Sequence, residues 1–155
     1  MMLKDIILEG RDPVSIDVLE KIEGKLGVTF PNSFKEIILY KDSAVFKKSL
    51  FKFKEFISGD EWRGCLGSIL SFAPGLGELG ILWHTQKFKE QIGDGLIPVA
   101  EDPGGDFVCF DYRKGKDNPN PPIIYWSHES PENEDISYVA DNFDDFINML
   151  YGSEE

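Results

Sequence analysis

Cysteine is scarce in this chain, and long apolar runs are missing. Only Cys65 and Cys109 occur among 155 residues, which excludes a disulfide-stapled scaffold and predicts two free thiols. No apolar stretch approaches the roughly 20 residues that span a bilayer as a helix. Asp5 and Glu9 interrupt the apolar residues near the start of the chain, so no signal-peptide core is expected there. These absences predict a cytoplasmic protein without disulfides or a membrane span.

Basic residues are missing from the last quarter of the chain. The formal net charge is −12, and residues 117–155 contribute ten Asp and Glu but no Lys or Arg. A negative field of this strength repels phosphate backbones and attracts basic proteins. The charge therefore disfavours nucleic-acid binding and favours a basic protein partner, although a solvated acidic tail would have the same composition.

One short segment runs against this trend. Lysines alternate with phenylalanines at Lys52, Phe53 and Lys54, after Lys47 and Lys48. Interleaved lysines and aromatics can mark a nucleic-acid platform. We favour an amphipathic strand with a solvated lysine face, because the chain as a whole is acidic.

The order of predicted elements indicates the fold class. Helical spacing of apolar residues predicts four helices, over residues 13–26, 31–41 and 84–92 and after Asn142. Asp12 and Pro13 are expected to start the first helix, and Gly27 to end it. Alternating or continuous apolar runs predict strands at 51–56, 96–101, 106–111, 122–127 and 136–140. This order predicts one α+β domain over residues 1–155 with a mainly antiparallel sheet of about five or six strands. N-terminal and C-terminal helices should flank the sheet and pack on it as a single layer.

Two strand-like runs, 96–101 and 106–111, are separated by the turn sequence DPGG. Proline fixes one turn residue and glycine supplies a positive φ, so the pattern predicts a β-hairpin. Trp126 ends another strand run and shares a face with Ile124, so we expect it to be largely buried.

Motifs that would imply a cofactor or a metal are incomplete. Residues 75–80, GLGELG, have the glycine spacing of a dinucleotide site, but no strand precedes them and ILWHT is not a helix-opening pattern. We therefore expect a flexible loop there and no cofactor. The sequence has no CxxC pair, and His128 lacks a second histidine at position 132. No metal site or cysteine nucleophile is expected.

Acidic residues cluster around the predicted hairpin and in the loop after the next strand. Turn formation and strand ends could account for the hairpin acids, which are Glu101, Asp102, Asp106 and Asp111. The loop acids have no helix-capping role, and they are Glu129, Glu132, Glu134 and Asp135. Since loops on a rigid sheet often carry recognition, we expect both groups, with His128, to contact a basic partner.

Four segments in order carry a family resemblance. They are LGVTFPNSFKEIIL, GLIPVAEDPGGDFVCFDYRKG, PPIIYWSHES and ISYVADNFDDFINML. Together they resemble the SUKH superfamily, in its branch of fungal cell-wall-synthesis regulators and bacterial immunity proteins, over about residues 13–151. The matching positions are Pro31, Phe34, Pro98, Gly105, Asp106, Asp111, Trp126, His128, Glu129 and Phe143.

The resemblance implies a non-catalytic α+β domain that binds proteins. Bacterial members resemble immunity proteins, which neutralise toxins, often nucleases, of intercellular competition. We therefore expect a basic toxin domain as the partner, with no cofactor, metal, nucleic acid or membrane. One alternative is a regulatory or scaffolding adaptor related to the fungal regulators. Another is an enzyme that uses the group Asp106, Asp111, His128 and Glu129.

Overall fold

The structure is a computed structural model that describes residues 2–131 and 134–153, and its fold is α+β. The helices are α1 (Leu3–Ile6), α2 (Ile16–Leu26), α3 (Asn32–Tyr40), α4 (Ile81–Ile92) and α5 (Phe143–Met149). The strands are β1 (Ile7–Arg11), β2 (Asp42–Phe46), β3 (Leu50–Lys54), β4 (Glu61–Cys65), β5 (Leu96–Glu101), β6 (Phe107–Asp111), β7 (Ile123–Trp126) and β8 (Ile136–Ala140). The predicted fold class, with helices at both ends of the chain, is confirmed.

The strands form three antiparallel sheets. The largest has the order β5-β6-β7-β8, while β1–β2 and β3–β4 are separate pairs. The expectation of one sheet of five or six strands is therefore wrong. The β3–β4 hairpin packs across the large sheet, because Phe51 and Phe53 lie on the ring of Tyr125, with ring centroids 6.1 and 4.5 Å away. A hairpin held through its side chains in this way does not extend the edge of the sheet.

Helices cover both faces of the four-stranded sheet. Neighbouring strand residues point to opposite faces, so Phe107 and Phe110 of β6 face opposite ways. Phe34 of α3 packs edge-on against Phe110 at 5.0 Å, and Phe88 of α4 packs against Phe107 at 5.2 Å. The predicted single layer of helices is therefore wrong. The continuous apolar run in β6 is typical of a strand that is buried on both sides.

An aromatic cluster fills the centre of the α2–α3–α5 side. Its ring centroids lie 5.0–5.9 Å apart in tilted or edge-on pairs, which is the geometry that aromatic rings prefer. Its members are Phe30, Phe34, Phe72, Phe110 and Phe143. These rings are at most 2% exposed, so they anchor two helices and β6 in one core.

Helix ends follow local capping chemistry. The Ser15 side chain accepts a hydrogen bond from the Val18 backbone N–H at 3.2 Å and starts α2, so the predicted start at Asp12 and Pro13 is wrong. Gly27, at φ 72°, ends α2 as expected. The Asn142 side chain accepts from the Asp145 N–H at 2.8 Å, which confirms the predicted cap of α5.

The glycine-rich segment 75–80 leads directly into α4. A single 3₁₀ turn covers Gly77–Leu79, and α4 begins at Ile81. The expectation that ILWHT does not open a helix is therefore wrong. Between β4 and the glycines, residues 66–76 contribute two isolated bridges rather than a named strand. The described residues thus lack the strand–turn–helix frame of a dinucleotide site. They also contain no helix with the length and apolar character that would let it cross a bilayer.

Candidate functional site

Two loops, one between β5 and β6 and one between β7 and β8, meet at one end of the four-stranded sheet. The β5–β6 turn, residues 102–106, is joined to the β3–β4 hairpin because the Cys65 N–H donates to Asp102 Oδ2 at 2.8 Å. The chain after β7 returns to β8 through a backbone bond from Ser127 N–H to the Asp135 carbonyl, also 2.8 Å. We call this region, residues 101–106, 127–131 and 134–135, the acidic end.

Asp106 fastens the chain after β7 to the hairpin. Its Oδ1 accepts from the His128 backbone N–H at 2.9 Å and lies 2.5 Å from His128 Nδ1. Its Oδ2 accepts from the Tyr125 hydroxyl at 3.0 Å. Burial, together with the negative charge of Asp102, raises the pKa of Tyr125, so this hydroxyl stays a donor. These contacts hold Asp106 and His128 together and give Asp106 a structural role.

Gly105 gives His128 room to lie against the turn. Gly105 has φ 95°, a conformation that side chains disfavour, and an added Cβ would be 3.2 Å from His128 Cε1. His128 Nε2 lies 3.6 Å from Glu129 Oε1 on the solvent side. Asp106, His128 and Glu129 thus form a chain of polar contacts that runs outward from the hairpin.

Asp102 and Asp135 are also used inside the fold. Asp102 Oδ1 accepts from the Gly104 N–H at 3.0 Å, which closes the turn. Asp135 is 7% exposed, and its Oδ2 accepts from Trp126 Nε1 at 2.8 Å. Trp126 is partly buried and packs against the core, with its ring 4.9 Å from Phe88. Asp135 lies in the predicted loop and caps no helix, but its carboxylate is bonded inside the fold.

A second group of acids at this end faces solvent. Glu101 ends β5, Glu129 follows His128, and Glu134 precedes Asp135, and all three are exposed. The Glu129 side chain is 87% exposed. Glu132, which the sequence placed in the same group, lies outside the described residues. The acidic end therefore carries two kinds of carboxylate, one kind bonded inside the fold and the other exposed.

Asp111 lies apart from the acidic end. It terminates β6, five residues after Asp106, which at the rise of a strand is about 16 Å. Both its oxygens accept from Arg113, at 2.9 Å from Nε and Nη2. Burial alone would raise the pKa of Asp111, but the Arg113 guanidinium holds it below its ordinary value. The four-residue group Asp106, Asp111, His128 and Glu129 is therefore not assembled.

An apolar tip, which was not predicted from the sequence, lies beside the acidic end. The β3–β4 turn carries Phe56 and Ile57, which are 60% and 54% exposed, and Trp62 on β4 is 43% exposed. The Phe56 N–H donates to Ser137 Oγ at 2.9 Å, which sets the turn against the start of β8. The signal was present, since Phe56 and Ile57 interrupt the alternation of SLFKFKEF just before a Ser-Gly turn.

A buried carboxylate fixes the shape of this tip. Glu55 accepts from the backbone N–H groups of Ile57 and Ser58, both at 2.8 Å, and these bonds lower its pKa. The Glu55 N–H donates to the Asp60 carbonyl at 2.9 Å. The turn therefore holds its two apolar side chains in solvent on a hydrogen-bonded frame.

A cleft of about 670 Å³ lies beside the β5–β6 hairpin. Its charged lining comprises Glu9, Arg11, Glu78, His84 and Glu101. His84 Nε2 lies 2.7 Å from the Glu78 carbonyl oxygen, and its ring packs on Phe107 at 5.1 Å. Since Glu101 belongs to both, the cleft extends the negative charge of the acidic end.

The described residues form neither a metal-binding cluster nor an activated cysteine. Among the described residues, no group of three or more His, Cys, Asp or Glu is placed to hold a metal ion. Both cysteines are free, as expected. Cys109 is completely buried, and burial raises the pKa of its thiol, so it has the character of an inert core residue.

A family model describes most of the chain. The SMI1/KNR4 family (SUKH-1) matches residues 13–149. The chain belongs to this family. The match confirms the resemblance that the four sequence segments carried. A curated relative, the SPbeta prophage-derived uncharacterized protein YokK of Bacillus subtilis (strain 168), is 30% identical over 64 residues. Those residues are 41% of this chain and 30% of the relative, so the chain matches under a third of the relative's length.

Several positions that carry the SUKH resemblance have structural roles here. Pro31 is buried and directly precedes α3, while Phe34 and Phe143 belong to the aromatic cluster. Pro98 lies opposite Cys109, where the β5–β6 register shifts. Gly105 accommodates His128. These positions maintain the scaffold, whereas the exposed acids are not among them, apart from Glu129.

Proposed function

We propose that this SUKH protein is a non-catalytic binding module that neutralises a basic toxin domain through its acidic end. The observation that supports this best is that some carboxylates at the acidic end are bonded inside the fold while others are exposed to solvent. Asp102, Asp106 and Asp135 are bonded inside the fold, while Glu101, Glu129 and Glu134 are exposed on the framework that they build. Among the described residues, the side chains of Glu101 and Glu134 make no hydrogen bond or ion pair, and Glu129 contacts only His128, on the solvent side.

Electrostatics favours a basic partner. The net charge of −12 gives the chain a long-range attraction for cations, and the exposed acids concentrate it at one end. Complementary charge mainly accelerates encounter and suppresses wrong partners. A nuclease toxin fits this surface because a phosphate-binding face is basic.

The apolar tip supplies what charge alone does not. Protein interfaces combine a polar rim with a few aromatic or aliphatic anchors, and the anchors carry most of the binding energy. Phe56, Ile57 and Trp62 have this character, and the bonded frame around Glu55 limits the entropy lost on docking. An adaptor of cell-wall synthesis would use the same kind of surface and would differ in its partner.

Co-expression with the toxin domain encoded beside the gene for this chain tests the proposal. We expect the wild-type chain to restore growth to cells that produce that domain. The triple reversal Glu101→Lys, Glu129→Lys, Glu134→Lys should lose the rescue while the chain stays folded, because exposed charges contribute less than about 1 kcal/mol to stability.

A matched variant separates the acidic end from net charge. Asp12→Lys, Glu20→Lys, Glu36→Lys reverses three exposed acids elsewhere and changes the net charge by the same amount. We expect this variant to rescue growth like the wild type. Failure of the wild-type chain to rescue growth would contradict the toxin-neutralising function. Equal loss of rescue in both variants would show that only the overall charge matters.

A further inference from the structure

Apart from the cleft beside the acidic end, a groove lies between α2 and α4. It has a volume of about 650 Å³ and is closed on one side by residues 71–77. Its walls are mostly apolar, formed by Val18, Ile22, Phe72, Leu76, Leu82 and Trp83. Trp83 is 38% exposed, so the groove leaves a large aromatic surface open. Concave, mostly apolar clefts with a few polar groups are the usual form of binding sites.

The rim of this groove is basic. Lys21 and Lys25 lie one turn apart on α2, line the groove and are both exposed. Neither makes an ion pair within 4.0 Å with a residue that the structure describes. Lys87 lies 5.4 Å from the centre of the Trp83 ring. Glu78, the acid nearest in sequence to the closing segment, lines the other cleft instead.

We propose that this groove docks an acidic segment of a protein partner, whose apolar side chains enter the groove while its carboxylates meet Lys21 and Lys25. The sign of the charge decides the occupant. In a chain with a net charge of −12, two ammonium groups that no described acid pairs within 4.0 Å lie beside an apolar cavity, where a basic segment would be repelled. The apolar walls require anchors as well as charge, so an acidic tract without apolar side chains should bind poorly.

The site is independent of the proposed toxin-binding surface. The groove shares no lining residue with the acidic end, and the two carry opposite charge. The acidic segment would therefore belong to a second partner or to a different part of the same one. Loss of toxin neutralisation would leave this site untouched, and loss of the groove would leave the acidic end intact.

NMR titration of the isotopically labelled chain tests the proposal directly. The probe is a synthetic peptide of about 12 residues, three turns of helix, with leucines on one face and glutamates elsewhere. We expect backbone shifts confined to α2, residues 71–77 and the start of α4, and binding that weakens as salt rises. A peptide with lysine in place of every glutamate is the control and should not bind. Equal binding of both peptides, no binding, or shifts centred on β3–β4 would overturn the proposal.

Paired variants isolate the rim. Lys21→Glu, Lys25→Glu should weaken binding of the acidic peptide roughly three- to tenfold, as expected for two partly exposed ion pairs. Lys4→Glu, Lys114→Glu changes the net charge equally at exposed positions outside the groove and should leave the affinity unchanged. Sedimentation of the free chain checks for a second copy as the occupant. A dimer that the rim variant dissociates would overturn the proposal.

Discussion

The two hairpins β3–β4 and β5–β6 build their turns with the same chemistry and present opposite surfaces. In each, a carboxylate near the start of the turn accepts backbone N–H groups, Glu55 from Ile57 and Ser58, and Asp102 from Gly104. The β3–β4 turn exposes the apolar side chains of Phe56 and Ile57. The β5–β6 turn is flanked by the exposed acid Glu101.

The strands of the two hairpins differ as well. In β5 and β6 every residue is buried except the last of each strand, whereas β3 alternates between buried phenylalanines and exposed lysines. The β5–β6 hairpin is therefore buried on both faces, whereas β3 contributes one face, with Phe51 and Phe53, to the core and leaves its lysine face exposed. The same carboxylate-to-backbone hydrogen bonds therefore support turns with different exposed side chains. The exposed side chains are not needed to close the turn, so they can take part in recognition. Changes in each hairpin, ordered by their expected effect on the free energy of unfolding, probe this contrast.

Phe110→Ala should have the largest effect. The Phe110 ring contacts Phe34 at 5.0 Å and Phe143 at 5.8 Å and is fully buried. Its removal leaves a cavity in the aromatic cluster and should lower the free energy of unfolding by about 3–5 kcal/mol. Lys54→Ala, on the exposed face of the β3–β4 hairpin, should stay within about 0.5 kcal/mol. Urea unfolding of both variants measures the contrast, and similar losses would show that the lysine face of β3 contributes as much to stability as the buried face of β6.

Gly64→Ala asks how tightly the β3–β4 hairpin is seated. An added Cβ would lie 2.2 Å from Cζ of Phe51, which is buried against Tyr125 and Phe146. The ring cannot move aside, so we expect a loss of about 1–3 kcal/mol from overpacking.

The control for Gly64→Ala is Gly24→Ala on the open side of α2. No atom lies within 4 Å of an added Cβ there, and alanine is the better helix former, so a gain of about 0.5–1 kcal/mol is expected. We expect the thermal midpoint to fall in Gly64→Ala and to rise by a smaller amount in Gly24→Ala. A neutral Gly64→Ala would mean that the hairpin lifts easily from the sheet.

Local chemistry explains which elements the sequence could predict. The β5–β6 hairpin follows from DPGG between two apolar runs, and α5 follows from Asn142 and its apolar stripe. The β1–β2 pair was not predicted because β1 buries only Ile7, and one of the inward positions of β2 is the polar residue Asp42, so neither strand shows apolar alternation in its sequence. The face-on packing of β3–β4 depends on contacts with Tyr125, about seventy residues away, and no local pattern encodes them.

The sequence predicted which acids lie at the candidate site but not which of them are bonded inside the fold. The acids around the hairpin were all identified, yet whether a carboxylate is bonded or exposed depends on distant donors. Asp135 accepts from Trp126, and Asp102 accepts from Cys65. Neither contact follows from spacing. The apolar tip was not predicted because Phe56 was assigned to the predicted strand that ends at residue 56. Phe56 and Ile57 together nevertheless break the alternation of that strand.

Acid unfolding tests whether the Glu55 carboxylate stabilises the β3–β4 turn. Hydrogen bonds from Ile57 and Ser58 lower its pKa below the ordinary value of 4.5. The unfolded chain therefore binds more protons over this range, and the stability that Glu55 contributes is present above pH 4.5 and lost as pH falls through its folded pKa. Urea midpoints measured from pH 6 to pH 3, roughly the range over which carboxyl groups titrate, should fall less steeply in Glu55→Gln than in the wild type. Parallel curves for the two proteins would show that this carboxylate does not hold the turn.

Phe56→Ser, Ile57→Ser should have the smallest effect on folding and the clearest effect on binding. Both side chains are more than half exposed, so the free energy of unfolding should change by less than about 0.5 kcal/mol. If these residues anchor a partner, their loss should weaken affinity by about 2 kcal/mol, near thirtyfold, mainly through faster dissociation. Reversal of Glu101, Glu129 and Glu134 should instead slow association, and this effect should shrink above about 0.15 M salt. Surface plasmon resonance with the toxin domain proposed as the partner resolves the two rates. A tip variant that changes only the association rate, or neither rate, would place the anchors elsewhere and leave the β3–β4 hairpin with a structural role alone.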